Sequence, residues 1–595
     1  MADFILICRR PGRQRSLDAD DLARVAERLA PSNIDARPTR LVEGRDLSIA
    51  VLNPSPEGVR VRDDAVCLGG IFGDPGQWWR VGSEPPDGTY VLLRHSDVRV
   101  ELLTDITASR TIWYAFDKDA FLASTSQRAL VALMGDLQVD ERATAWLVSS
   151  GTLGPEASWD TRIHKLPGDS RLSLDRERWH VAVETQPAVY APVARPRDAH
   201  VALLKEAILW SCSNLNLDVS QWLLPLSGGR DSRALLAFMV KSGLRPTCVT
   251  WTTRASRHRP FSDAAIAPLV ARHFGVEHEF AYLDVPGDEL PVALDRFVAV
   301  GEGRSDAFAG YTDGCAVWRD LFAKGVSGII RGDEAFGDRQ RAASPEVVMS
   351  SWGGAIVGDF PVAHVIRRLG LAEQERPERL LQRPGEGLEA FLDRVTEQGY
   401  ISGFLSPLND LKGRYIEVVN PLLSRRIVSA VRTLPDHLRV YGRAFARVID
   451  GEVRHIPYAR FQSTTPEVDY LEHHAILETI VGELSSRSME RVLGEEAVVR
   501  VLVAMAASAP SRPTGHERFI AAMKAVRTAL PRRVAERLSP RLSGVDPLSP
   551  SLLALRATMA SKTIALLEED AALLRRPGAG RSEASQPPLG GSTRR

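Results

Sequence analysis

The 595-residue sequence predicts two unlike parts, an α+β layer of antiparallel sheet followed by an α/β parallel sheet with a large helical extension. Three observations predict it. Residues 1 to about 190 carry many short β-rich runs separated by turn signals such as Pro86-Asp87-Gly88. The stretch "VYAPVARPRD" (189–198) interrupts that texture with prolines and polar residues. From residue 199 short apolar runs alternate with helical periodicity, and beyond 340 the periodicity is mostly helical. The expected domains are therefore 1–190 and 191–575, with a tail at 576–595 too poor in apolar residues to fold.

The elements follow in order. "DFILICRR", "LSIAVLN", "TYVLLRHSDVRVELLTD", "TIWYAF" and "AFLAST" are rich in β-branched, aliphatic and aromatic residues and read as strands. "SQRALVALMGD" and "ERATAWLVSSG" read as helices. "HVALLKEAILWSCSNL" places Val201, Leu204, Ile208 and Leu209 on or beside one helical face. "QWLLPLS" is a strand running into glycines, and "DSRALLAFMVKSG" is a helix closed by Gly243. "TCVTWTT" is a second strand, and "SDAAIAPLVARHFG" a helix capped by Ser262 and stopped at Gly275. Long helical stretches are expected over 386–450 and 467–575.

Seventy-five basic residues balance 75 acidic ones, so no global field favours nucleic acid or an anionic membrane. Five scattered cysteines without a CxxC suit buried thiols in a reducing, cytoplasmic compartment, not a zinc site or a disulfide framework. His273, His278, His473 and His474 show no metal-ligand spacing. "FILIC" is too short for a signal peptide, and "AVVRVLVAMAASA" (497–509), interrupted by Arg500, reads as a buried helix.

The informative stretch is "LSGGRDS" (226–232). A strand entering a Gly-rich turn and a helix start presents backbone N–H groups and a positive dipole end to an anion. Gly228 and Gly229 permit close approach of phosphate oxygens, and Ser227 and Ser232 add hydroxyls. Asp231 would repel a polyphosphate unless a cation lies between, which points to Mg²⁺. The chain contains no Gly-Lys dipeptide, which excludes the common lysine-bearing phosphate loop.

"LSGGRDS" resembles the loop of ATP pyrophosphatases, which cleave ATP between its α and β phosphates. "SGIIRGDEAFGD" (327–338) is similar to the second acidic segment of asparagine synthetases. The stretches "EVVNPLLSRRIVSAVRTLPDHLR" (417–439), "ELLTDITASRTIWYAFDKDAFLAST" (101–125) and "IHKLPGDSRLSLD" (163–175) extend the likeness, the last resembling the closing hairpin of the family's glutaminase domain. The resemblance implies an N-terminal class II glutaminase-like (Ntn-like) antiparallel sandwich followed by an α/β ATP-pyrophosphatase synthetase domain. It also implies ATP and Mg²⁺ as cofactors, nucleotide binding by Leu226, Ser227, Gly228, Gly229, Asp231 and Ser232, and metal binding by Asp231 and Asp333. Glu334 could touch the metal through water or cap the next helix.

The departures direct the function. The family's glutaminase nucleophile is a cysteine at position 2, where this sequence has Ala2; Cys8 sits in an apolar strand pattern. The glutaminase is expected to be inactive, so the attacking amine comes from the substrate. Relatives with that loss include β-lactam synthetases and lasso peptide macrolactam synthetases. Ile330 stands where the former carry a tyrosine, and Arg233 after the second serine resembles the latter. On that resemblance Glu417 is a candidate base, and Arg460 stands near the place of a family lysine that stabilises the adenylate. Each has a plain alternative as a solvated or surface side chain. The implied partners are a precursor peptide and a leader-binding protein or leader protease. An amide ligase for a small substrate, akin to asparagine or β-lactam synthetases, and a nucleotide-binding scaffold without chemistry stay as alternatives.

Overall fold

A computed structural model describes residues 3–11, 19–35, 39–44, 46–53, 58–62, 64–284, 289–333, 344–350, 369–453, 455–464, 470–507 and 549–575. Ala2, Glu334 and the 576–595 tail lie outside the described residues.

The first part is two six-stranded antiparallel sheets. One contains β1 (Asp3–Arg9), β2 (Arg40–Gly44), β3 (Leu47–Leu52), β8 (Trp113–Phe116), β9 (Ala120–Ser124) and β10 (His164–Lys165), in the order β10-β8-β9-β1-β3-β2. The other contains β4 (Val59–Arg62), β5 (Ala65–Ile71), β6 (Gly88–His95), β7 (Arg99–Thr104), β11 (Ser170–Asp175) and β12 (His180–Thr185), in the order β12-β11-β7-β6-β5-β4. Alternation decides what each face meets. In β1, Phe4, Leu6 and Cys8 join Val66, Leu68, Val91 and Leu102 of the opposite sheet in one core. Ile5 and Ile7 face helices on the other side. β1 is thus buried on both faces, which accounts for its unbroken apolar run.

The segment 163–175 does not close on itself as a hairpin. His164–Lys165 pair with β8 in one sheet, and Ser170–Asp175 pair with β7 and β12 in the other. The hairpin is β11–β12. The turn through Gly168 and Asp169 (φ +52°) carries the chain from one sheet to the next.

The helices start and stop where local chemistry dictates. After α1 (Ala19–Leu29), in α2 (Gln127–Met134) Ser126 accepts a hydrogen bond from Ala129 N–H and Gly135 closes the helix in the left-handed region. Asp140 and Gly151 do the same for α3 (Glu141–Ser150), as do Ser262 and Gly275 for the later helix Asp263–Phe274.

The second part is a five-stranded parallel sheet of β13 (Trp222–Pro225), β14 (Thr247–Thr252), β15 (His278–Tyr282), β16 (Gly328–Ile330) and β17 (Glu417–Val419), in the order β15-β14-β13-β16-β17. The chain winds outward from β13 to β15, then returns to lay β16 on the other side of β13. The strand order therefore reverses between β13 and β16. In open parallel sheets, that point opens a crevice beyond the carboxyl ends of the strands.

Helical segments frame this sheet. Leu388–Gly413 is one helical run with a π-helical middle at Thr396–Leu405. The stretch expected to be helical to 450 is interrupted by β17 and by Tyr441 at φ +62°. Helix Glu495–Ala507 buries Ala497 and Val501 but exposes Val499 and Val503, so one face and not the whole helix is covered among the described residues. Helix Pro550–Ala572 is buried along most of its length against α2, α3 and the helices Leu290–Gly301 and His474–Leu484. Its Asp570 accepts from Arg28 and Arg128 (2.8 and 2.7 Å). No helix among the described residues is long and apolar enough to cross a membrane.

The stretch 189–198 docks instead of hanging between the parts. Ala191 and Val193 N–H groups donate to the Arg432 and Thr433 carbonyls. Buried ion pairs join the antiparallel part to the second part at Arg110–Glu417 (2.9 Å) and Asp3–Arg414 (2.5 Å), while Arg304–Asp410 (2.8 Å) and Arg414–Glu302 (2.7 Å) brace the second part beneath that join.

Candidate functional site

The loop 226–232 leaves β13 at the reversal point, and Arg331–Gly332–Asp333 leave β16 beside it. The two segments touch. A Cβ added to Gly332 would lie 3.1 Å from Ser232 N and 3.2 Å from Asp231 Cβ. A cleft of about 230 Å³ opens there, lined by Leu226, Ser227, Asp231, Ser232, Asp263 and Asp333 together with Arg331 and residues of β14. The structure thus brings together the predicted loop residues and both predicted metal carboxylates.

Helix Asp231–Lys241 starts at the loop, and Arg230 at its N-cap position supplies no side-chain capping bond, so the positive end of the helix dipole lies at the cleft. Three loop N–H groups are already matched by side-chain oxygens, where the sequence led to the expectation of N–H groups presented to an anion. Ser227 N–H donates to Ser232 Oγ (3.0 Å), Gly229 N–H to Ser227 Oγ (3.1 Å), and Gly228 N–H to Asp263 Oδ1 (2.8 Å). The local hydroxyls and Asp263 hold the turn in shape. A phosphate oxygen would compete with Asp263 for the Gly228 amide.

Gly228 is required by close approach. A Cβ there would fall 2.3 Å from Ala459 Cβ and 3.0 Å from Ile266 Cβ. The Ala459 N–H donates to the Gly228 carbonyl (2.9 Å). Gly228→Ala should therefore cost about 1–3 kcal/mol of stability through overpacking. Chemical denaturation measures that cost.

Arg233 explains how the 456–460 segment is held. Its buried guanidinium donates to the Ile456 and Pro457 carbonyls (2.8 Å each) and lies 4.2 Å over the Tyr458 ring. That pin, with the Ala459–Gly228 bond, fixes Arg460 beside the loop. Arg460 is exposed, its guanidinium 4.9 Å from the Phe261 ring centre, and it does not line the cleft.

Glu417 is not near the chemistry. It pairs in register with Gly328, which pairs with Trp222, so it stands at the amino ends of the strands. At roughly 3.3 Å per residue the loop is on the order of 15 Å away, beyond the opposite ends. The Glu417 side chain is fully buried, donor-bonded by Arg110, and packed on Gly58, where a Cβ would meet it at 2.3 Å. Its role is a buried join between the two parts, which corrects the expectation of a catalytic base.

Three residues that shape the site had no motif to announce them. Asp263 follows the Ser262 cap directly, and its place at a helix start after β14 was the available signal. Arg331 forks onto Asp333, with Nη2–Oδ1 at 2.7 Å and Nε–Oδ2 at 3.2 Å. Lys412, the last lysine before Lys524, is buried near the same carboxylate, its Nζ 3.4 Å from Asn409 Oδ1. Burial would raise the Asp333 carboxyl, but Arg331, then Lys412 and Asn409, outweigh it and hold it below the usual carboxylate range. Burial, reinforced by Arg331, holds Lys412 well below a normal lysine. Asp263 goes the other way, raised by burial against the hydrogen bonds it accepts from the backbone N–H groups of Gly228 and Ser463.

All five cysteines are buried and free. Cys8, the thiol nearest the amino end, is pushed up to about 11 by burial, against the opposing effect of Arg176. In the folded protein Cys8 should resist iodoacetamide at pH 8 and react once unfolded, as peptide mapping by mass spectrometry would show. The histidines named from the sequence form no metal site among the described residues. His278 contacts Thr250 Oγ1 at 2.8 Å, and His473 caps the helix His474–Leu484.

No family model matches the chain, and no curated protein matches it. Among solved structures it is similar to the allosteric regulatory enzyme of purine biosynthesis, with 9% identity over 47% of this chain and 80% of that one, TM-score 0.21. It is also similar to NMN synthetase from Francisella tularensis (16% identity, 37% and 94% covered, TM-score 0.18). A third is glutamine phosphoribosylpyrophosphate amidotransferase from B. subtilis complexed with ADP and GMP (8%, 47% and 65%, TM-score 0.19). These are partial likenesses. By its own sheets and helices the chain is a mixed α/β protein that places an uncapped helix start and three carboxylates in one cleft at the strand reversal.

Proposed function

We propose that the protein is an ATP-dependent ligase that forms an amide bond by way of an acyl adenylate. The observation that carries this reading is the meeting of Asp231 and Asp333 in one cleft with the uncapped helix start behind the Gly228–Gly229 turn. The donor set fits a hard divalent ion, which usually takes one or two carboxylates and completes its shell with water and phosphate oxygens. Asp231 and Asp333 would hold Mg²⁺, which would neutralise the phosphates there. The turn and the helix start would orient the β and γ phosphates. In the reaction a substrate carboxylate oxygen bonds to the α-phosphorus as the bond to the bridging oxygen breaks, and pyrophosphate leaves. An amine then bonds to the acyl carbon, the nitrogen gives a proton to solvent, and AMP departs with the electron pair of the broken C–O bond.

The amine distinguishes the substrates. No cysteine of this chain is exposed to take ammonia from glutamine, which supports an amine carried by the substrate itself. We take the substrate to be a ribosomal precursor peptide whose N-terminal amine closes a macrolactam on an Asp or Glu side chain. A prefolded peptide would present the two groups at high effective concentration. A leader-binding protein and a leader protease complete the proposed system. The test is pyrophosphate exchange into ATP driven by a candidate peptide, with AMP and a dehydrated peptide as products. ADP as product, or ammonia-dependent turnover of aspartate without peptide, would replace this reading with the small-substrate one. ATP binding without exchange for any peptide would leave a scaffold.

A further inference from the structure

The cleft contains a positive charge that the loop does not contribute. The guanidiniums of Arg230 and Arg233 both donate to backbone carbonyls of the 441–457 region. Among the described residues lining the cleft, Arg331 is the one Lys or Arg, set against the carboxylates of Asp231, Asp263 and Asp333. Its backbone is anchored, because Arg331 N–H donates to the Val419 carbonyl (2.8 Å) and Gly332 abuts Asp231 and Ser232. Its side chain is partly open, 26% exposed against 9% for Asp333, so the arm can turn while the backbone stays.

The fork onto Asp333 uses a lone pair on each carboxylate oxygen and cancels the charge that would attract a metal. A divalent cation and Arg331 therefore compete for the same carboxylate. A planar guanidinium also suits a phosphate as well as it suits a carboxylate.

We propose that Arg331 exchanges partners: it neutralises Asp333 until a divalent cation takes that carboxylate, then turns its guanidinium onto the nucleotide phosphates. It would supply the positive charge that phosphate loops commonly draw from a lysine. This inference rests on the nucleotide reading of the cleft. It predicts coupling of a definite sign: metal alone is opposed by Arg331, whereas metal with nucleotide is favoured by it.

The experiment uses the full chain as wild type, Arg331→Met, Arg331→Lys, Asp333→Asn and the Arg331→Met/Asp333→Asn double variant, each checked for folding by its melting curve. Mn²⁺ alone is titrated by electron paramagnetic resonance. ATP and inorganic pyrophosphate are titrated by calorimetry, with Mg²⁺ and with EDTA. Arg331→Met should bind Mn²⁺ alone about tenfold tighter and Mg²⁺ with ATP or pyrophosphate about tenfold or more weaker, with Arg331→Lys recovering most of the latter. Asp333→Asn should bind ATP in EDTA more tightly than wild type, and the double variant should lose that gain. Metal and nucleotide affinities of Arg331→Met that stay unchanged, or fall together, overturn the exchange while leaving the nucleotide site standing. Should Arg331→Met fail to fold, Arg331→Lys and Asp333→Asn decide: metal-free ATP affinity of Asp333→Asn no greater than wild type overturns the proposal. Wild type that binds neither ATP nor pyrophosphate overturns the nucleotide reading and the exchange with it.

Discussion

Asp231→Asn should abolish peptide-driven pyrophosphate exchange, by about 10²–10³-fold, while the protein melts within a degree or two of wild type. The expectation follows from where the carboxylate stands. Asp231 is the first residue of its helix, lines the cleft, and lies against Gly332 of the segment that carries Asp333. Ser227, Ser232 and Asp263 hydrogen-bond the backbone amides of the loop and hold the turn in shape. Asparagine keeps the size and hydrogen-bonding oxygen of the side chain and removes its charge, so the change falls on what the cleft can hold. Exchange assays at saturating ATP, run beside thermal melts, separate the two effects. An Asp231→Asn protein with wild-type exchange would remove this carboxylate from the proposed chemistry.

Glu417→Ala should act in the opposite manner, costing about 3–5 kcal/mol of stability. Arg110 is 5% exposed and Glu417 1%, and they meet at 2.9 Å across the join between the antiparallel part and the sheet strand β17. Truncating the acid removes the nearest carboxylate from a guanidinium in a dry interior, leaving Asp410 at 4.0 Å and the more distant charge of Asp3. The cavity beside Gly58 adds to the loss. Urea denaturation measures the cost. Residual folded protein should retain pyrophosphate exchange per folded molecule, because the strand register keeps Glu417 at the far end of the sheet. A stable Glu417→Ala protein with lost exchange would restore the acid to a chemical role.

These contrasts show what local sequence can encode. Ser262 and Gly275 bracket their helix as read from the sequence, because a cap and a left-handed stop are satisfied within a few residues. The 226–232 loop was legible for the same reason: strand, turn and helix start are contiguous. Asp333 was legible through its resemblance to a known segment. Glu417 was misread because its position depends on pairing with Gly328, 89 residues earlier in the chain, and on an arginine 307 residues away. The 163–175 segment misled likewise, since its two strands pair with different sheets. Arg331 and Lys412 carry no motif, and their meaning arises from the carboxylate that the fold places beside them.

Helix Pro550–Ala572 has a consequence for the birth of the protein. It packs against α2 and α3, and its Asp570 meets Arg128, 442 residues upstream. At roughly 5–20 residues per second a ribosome that has finished α2 needs on the order of a minute more to deliver that helix. Until then the apolar sides of α2 and α3 wait without their cover. Each new chain thus passes through an adolescence in which a finished-looking sheet depends on a late arrival, and a chaperone would find its best hold there.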